Sequence, residues 1–234
     1  MCIAGTSLSP YPAIEFVKQF GTFFGLAFSA LLPLINPIGD ALVFLGLVGI
    51  APADVYRTLA RKIAINTTLF MMVIQLIGTA MLRFFGVSLP VMQVSGGLVL
   101  AAMGWDLLKE DAPQAKAQPG ATENSDARVL EQKAFYPFTF PLTAGPGCIV
   151  VMVTLSAHAS VGGVLSAAEA HAGIVAAVML LSAAVYICYS RAPAITARVR
   201  PETAHGILRV IAFVLLSIGV QITWNGLDTL LKTR

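Results

Sequence analysis

Charge in this chain is confined to clusters, and the neutral stretches between the clusters limit what it can fold into. Four of these stretches run over residues 63–82, 84–105, 170–190 and 210–227. Each matches the roughly 20 residues that one helix needs to cross hydrocarbon. Only 12% of the 234 residues are charged and 57% are hydrophobic, whereas about a quarter of an ordinary soluble domain is charged. A soluble globule has no means of hiding so much apolar surface, and a disordered chain is polar. The net charge of +3 comes without a basic stripe interleaved with aromatics, which argues against nucleic-acid binding. The expectation is an all-α integral membrane protein.

Two further stretches are too long for one ordinary span. Between Gln19 and Ala53 the only charge is Asp40, and from Ala134 to Ala168 there is none. A straight helix of either length would exceed about 50 Å, against a hydrocarbon core of about 30 Å. Both hold helix breakers at corresponding places: Pro33 and Asn36-Pro37-Ile38-Gly39-Asp40 in the first, Pro141 and Gly145-Pro146-Gly147 in the second. An internal proline removes a backbone bond and costs about 3 kcal/mol. Each long stretch is therefore expected to be a broken helix, giving six spans, with spans 1 and 4 broken at Asn-Pro and Gly-Pro-Gly. Folding both into hairpins would give eight.

Six spans put eleven Lys and Arg on one side and four, Lys18, Arg83, Lys232 and Arg234, on the other. Eight spans give a poorer ten to five. Because basic loops stay cytoplasmic, both termini are expected outside the cytoplasm. Trp105, Tyr136, Tyr186 and Tyr189 are then expected at the inner interface and Trp224 at the outer. Met1 to Tyr11 lacks a basic n-region, so no cleavable signal peptide is expected.

The order "broken, regular, regular" occurs twice. Residues 1–108 form one three-helix repeat, 109–136 a polar, flexible cytoplasmic linker and 137–234 the second repeat. Leu100 to Asp106, which contains Gly104, answers Leu215 to Gln221, which contains Gly219. Arg83 and Arg191 close the second and fifth spans. Three spans per repeat is odd, so the second repeat enters the membrane inverted, as in many secondary transporters. Matched Gly/Pro interruptions in the two halves point to the substrate site of such folds.

Asn36 before Pro37 has the form of an N-cap followed by proline at the first helical position. Thr143 or Gly145 before Pro146 has the same form. Helix N-termini present unpaired N–H groups and a partial positive charge, so two of them meeting inside the membrane would attract a carboxylate. Gly39, Gly145 and Gly147 would let a ligand approach the backbone. Kinks that serve only packing have the same sequence pattern. Asp40 admits three roles: a site for a proton, Na⁺ or a substrate amine, a complement to its own helix dipole, or an interfacial residue. A mid-membrane carboxylate costs roughly 2.5–3.5 kcal/mol, and such residues are functional by default.

The remaining intramembrane polar residues, Gln75 and Gln93 among them, are expected to bond helix to helix, and Gly96-Gly97 to let helices pack closely. Arg83 and Arg191 can snorkel. The cysteines Cys2, Cys148 and Cys188 are far apart, with no CxxC, so neither a disulfide framework nor a metal site is expected. The histidines form no ligand pair. GxxxxGK[ST], HExxH and GxSxG do not occur, so neither ATP hydrolysis nor any other enzymatic activity is expected.

Asn36-Pro37-Ile38-Gly39 and Pro141-Leu142-Thr143-Ala144-Gly145-Pro146-Gly147 resemble the paired signatures of the MarC family of bacterial inner-membrane proteins, over nearly the whole chain. The resemblance implies a bacterial cytoplasmic-membrane location, a place near the LysE-type exporter superfamily, and small neutral amino acids as the substrate class. Asp40 and Cys148 depart from the common pattern, where a small or amide residue and a Thr or other small residue are usual. The function expected is a secondary transporter, exporter or exchanger, of small zwitterionic solutes. Asn36, Pro37, Gly39, Asp40, Thr143, Gly145, Pro146 and Gly147 would bind the solute, and Asp40 its amine or a coupling H⁺ or Na⁺. A non-transporting scaffold or regulatory subunit is the alternative. No cofactor is expected; the partners are the solute, the bilayer and the coupling ion, and self-association is left open.

Overall fold

The computed structural model describes residues 12–49, 51–109, 127–160, 163–196 and 201–232. Met1 to Tyr11, Cys2 and residues 110–126 of the polar linker lie outside the described residues. The described chain is helical, with no strand: α1 (Pro12–Ile35), α2 (Pro37–Val48), α3 (Ala53–Phe84), α4 (Leu89–Lys109), α5 (Ala127–Gln132), a π-helical segment (Ala134–Thr143), α6 (Pro146–Ala159), α7 (Val164–Ser190), α8 (Ala192–Thr196) and α9 (Pro201–Lys232).

Four runs are long and apolar enough to cross a membrane: Phe16–Val48, Ala53–Phe84, Val164–Ser190 and Ala212–Lys232. The π-helical segment and α6, bent by 70°, make a fifth if they count as one span. The helices overrun the charge-free gaps. α3 begins ten residues before Ile63, because charge limits what can enter hydrocarbon and not where a helix can form. Asp54 lies in its first turn and Arg83 in its last, both favourable to the dipole. A Schellman motif ends α3: Gly86, at φ 67°, donates to the Arg83 carbonyl at 3.1 Å, and Val87 to that of Leu82 at 2.9 Å. Glycine takes this left-handed position without strain. The linker is not uniformly loose. Its final part is α5, with Leu130 buried and Lys62 bonded to Glu131 at 2.6 Å.

α7 is central and packs against α1, α2 and α3. Its small residues permit the approach: a Cβ on Gly173 would meet the α1 backbone at Phe20 and Phe24. α4 and α9 form a second, antiparallel pair. Gly97 lies against Gly219 and Thr223, Gly104 against Ala212 and Leu216, and Gly226 against Pro90 and Val94. Small residues at these crossings bring backbones into contact, which drives association where lipid removes the hydrophobic incentive. The outer surface is apolar, with Leu76 78% exposed and Phe84 85% exposed, as suits a protein whose solvent is hydrocarbon.

Candidate functional site

The first break is made by one residue. Asn36 sits at φ 39°, ψ 64°, a left-handed conformation that asparagine tolerates better than most side chains. The ladder carries on around it, from Asn36 N–H to the Leu32 carbonyl and from Asp40 N–H to the Asn36 carbonyl, both 2.9 Å. Pro37 has no N–H to lose, and the Asn36 Oδ1 accepts from Gly39 N–H at 3.1 Å. The N-cap expected at Asn36 is present. Because the ladder survives, α1 and α2 form a single apolar run of 33 residues and do not lie side by side as a hairpin would.

The second break is of another kind. Pro137 and Pro141 interrupt the π-helical segment, and Tyr136 and Phe140 have extended backbones. Two threonine hydroxyls bond back to carbonyls of the interrupted segment: Thr139 Oγ1 donates to the Ala134 carbonyl and Thr143 Oγ1 to that of Phe138, each at 2.8 Å. Such side-chain bonding is what irregular backbone in a membrane requires. Gly145, at φ −75°, ψ 179°, is the N-cap of α6 without a side-chain cap bond. The cap is thus Gly145 and not Thr143. With no left-handed residue to continue the ladder, this break bends where the first does not.

The two breaks meet. Asp40, in the first turn of α2, lies near enough to Cys148, in the first turn of α6, and to Tyr189 of α7 to act electrostatically on both. Tyr189 in turn shares a 2.9 Å hydrogen bond with Thr143 Oγ1. The Asp40 Oδ2 is enclosed and has no hydrogen-bond partner among the described residues. The glycines are closely packed. A Cβ on Gly39 would strike the Asn36 amide, one on Gly147 the side chains of Leu100 and Leu34, and one on Gly145 would lie 3.1 Å from the Pro141 carbonyl oxygen. In this conformation they fit chain to chain.

Four buried aromatics stand beside this region. Phe44, one turn beyond Asp40, stacks on Tyr189 at 4.6 Å and meets Phe138 at 5.3 Å and Tyr56 at 5.8 Å edge-on. Tyr56 O–H donates to the Gly49 carbonyl at 2.5 Å, tying the end of α2 to α3. Tyr189 was expected in an interfacial belt, but it is fully buried. The chain turns Tyr189 inward onto α2 and leaves Tyr186 at the surface, a choice made by helix rotation that proximity to Arg191 does not reveal. Phe44 lies in an uninterrupted apolar run, and no local signal marks it.

Of the polar residues expected to bond helix to helix, Gln75 does so, whereas Thr68, Ser95, Gln221 and Thr223 bond within their own helices. Gln75 Nε2 meets His171 Nδ1 at 2.9 Å and the His171 carbonyl at 3.1 Å, and Ser156 Oγ donates to the Gln75 carbonyl at 2.6 Å. No group of three or more His, Cys, Asp or Glu suited to a metal occurs among the described residues.

A lipid-facing helical exterior around a buried carboxyl, placed where two interrupted helices restart, defines a polytopic membrane protein of broken-helix type. The model of the MarC family integral membrane proteins matches residues 21–231, and the chain belongs to that family, as its paired motifs suggested. It is 30% identical over 219 residues to the "UPF0056 inner membrane protein MarC" of Salmonella typhimurium, covering 89% of this chain and 96% of that one. It is 27% identical to a "UPF0056 membrane protein" of Aquifex aeolicus over 94% of this chain and 99% of the relative. A relative in Methanocaldococcus jannaschii is 27% identical over 88% and 96%. No solved structure matches.

Proposed function

We propose that this protein is a secondary transporter of small zwitterionic solutes such as neutral amino acids, with its site between the restarting helices α2 and α6. The observation that carries the proposal is the Asp40 Oδ2, enclosed and without a hydrogen-bond partner among the described residues at the point where both breaks meet. An uncompensated buried carboxyl is costly and calls for a counter-ion or a proton. In the transporter it receives the solute's ammonium group, or a coupling H⁺ or Na⁺. The first-turn N–H groups of Ile38 and Gly147, which follow Pro37 and Pro146, receive the carboxylate. Asn36 and Gly145 shape the two helix starts, and Thr143 holds Tyr189 beside them.

The same reading makes α4 a sixth span and gives the protein two inverted three-helix repeats in the cytoplasmic membrane, with both termini outside. Support comes from the helix contacts, which survive exchange of the two halves. α1 against α7 corresponds to the π-helical segment against α3, α2 against α7 to α6 against α3, and α4 against α6 to α9 against α2. α3 with α7 and α4 with α9 map onto themselves. At residue level, aligning Gly104 with Gly219 aligns Gly97 with Ala212. The crossing of Gly97 with Gly219 then has its counterpart in that of Gly104 with Ala212.

The test is flux of radiolabelled neutral amino acids into proteoliposomes, with and without a H⁺ or Na⁺ gradient. Transport by the parent and its loss in Asp40→Asn, with the variant still folded and monodisperse, is expected. Full flux in the variant would remove Asp40 from the mechanism. No flux of any amino acid in the parent would favour a scaffold or regulatory subunit.

A further inference from the structure

A second polar region lies away from Asp40, toward the end of α3. A cavity of about 610 Å³ opens at the α3–α4 turn, and a smaller one of about 320 Å³ runs between α3, α6 and α7. Thr79 and Ser160 line both, so the two adjoin. Together they have the size of a small-molecule site.

Their walls differ chemically. The larger cavity is lined by Arg83, with the Ser88 hydroxyl nearby, and Arg83 makes no ion pair among the described residues. The smaller has a wall whose hydrogens can be assigned. The His171 carbonyl can only accept, so the Gln75 amide must turn its nitrogen toward it. His171 Nδ1, 2.9 Å from that nitrogen, is then an acceptor too. The ring proton therefore sits on Nε2, facing Ser160 Oγ at 3.3 Å, and Ser160 passes its own proton to the Ser156 carbonyl at 2.8 Å. Every donor in the chain has its acceptor, and the Gln75 Oε1 takes no part in these bonds. The wall is a fixed, neutral polar surface. The cation at the mouth is the group free to engage a ligand.

We propose that the joined cavities form a vestibule site, in which Arg83 binds the carboxylate of a small solute and the Gln75–His171–Ser160 wall bounds it on the inner side. The inference rests on the transporter reading for the identity of the solute, and it adds a station that the helix breaks do not contain. A lipid phosphate offers Arg83 the same oxyanion chemistry, so the experiment separates the two sources.

Thr79→Cys is prepared with Cys2→Ser and Cys188→Ser, leaving Cys148 buried, and reconstituted in phosphatidylcholine vesicles. Labelling rates are compared for an anionic sulfonatoethyl and a cationic trimethylammonioethyl methanethiosulfonate. With Arg83 present the anionic reagent is expected to react about fivefold faster than the cationic one, since a lone cation in a walled cleft concentrates anions. Arg83→Gln brings the ratio to about one, and Arg83→Lys keeps it. Millimolar L-alanine or L-serine is expected to slow labelling only where the cation is kept. A ratio indifferent to Arg83→Gln overturns the site. So does protection by added phosphatidylglycerol with none from any neutral amino acid, which would assign Arg83 to a lipid headgroup. In flux assays Arg83→Gln is expected to raise the KM with little change in maximal rate. Absence of flux in the parent, with amino-acid protection intact, would count against the transporter and not the vestibule.

Discussion

Asn36 does more for this fold than its single position suggests. It supplies the left-handed turn, caps α2 through its side chain and keeps the main-chain ladder running on both sides. The two contributions can be separated. Asn36→Ala loses the cap, worth about 1 kcal/mol, and also strains a left-handed backbone, which costs roughly 1–2 kcal/mol for an ordinary L-residue. Asn36→Gly loses the cap alone and restores conformational freedom. In detergent, thermal unfolding should therefore show a larger drop for the alanine variant than for the glycine variant. Equal drops would mean that the left-handed conformation carries no cost here. The Asn-Pro pair was legible in sequence because its cap chemistry is local. That Asp40 would lack a partner was not, since this depends on what α6 and α7 place around it.

At the scale of elements, the two breaks look alike in sequence and behave differently. Each has a proline at the first position of the restarted helix, but only the first keeps its ladder. The second is bent by 70°, and threonine hydroxyls bond back to its carbonyls. Sequence pattern reports where a ladder must be interrupted. It does not report which side chains will bond back to the interrupted backbone, because Thr139 and Thr143 are ordinary small residues until the backbone places them. The aromatic cluster on α2 also belongs to this scale. Phe44 touches rings from α3, α7 and the π-helical segment. Phe44→Ala should make the native Cys148, now 1% exposed, reactive toward a membrane-impermeant maleimide in a Cys2→Ser, Cys188→Ser background. A Cys148 that stays protected in folded Phe44→Ala protein would show that the ring is not what covers it.

At the scale of the whole molecule, the issue is which way each half faces. The inverted-repeat reading places Lys62 and Lys232 on opposite sides of the membrane. Single cysteines at these positions, in a background lacking the native three, should label from opposite faces of sealed, right-side-out vesicles. Labelling of both from one face would refute six spans with external termini. The helix-exchange relation among the contacts could not have been read from the chain alone. The echoes between the halves are weak as letters and become consistent only when Gly97, Gly104, Ala212 and Gly219 are found packed in reciprocal pairs.

The sequence by itself determined the solvent and the two interruptions, and its paired motifs marked the family. The first two follow from local composition: scarcity of charge, the length of apolar runs, and proline or glycine where a helix loses its bonds. The tertiary structure alone decided that the interruptions converge on Asp40, that Tyr189 faces inward, and that a polar cavity lies beside Arg83. Those facts depend on helix rotation and on contacts between residues distant in the chain. In hydrocarbon, where apolar side chains gain little by facing inward, hydropathy records rotation poorly, and small-residue packing sets it.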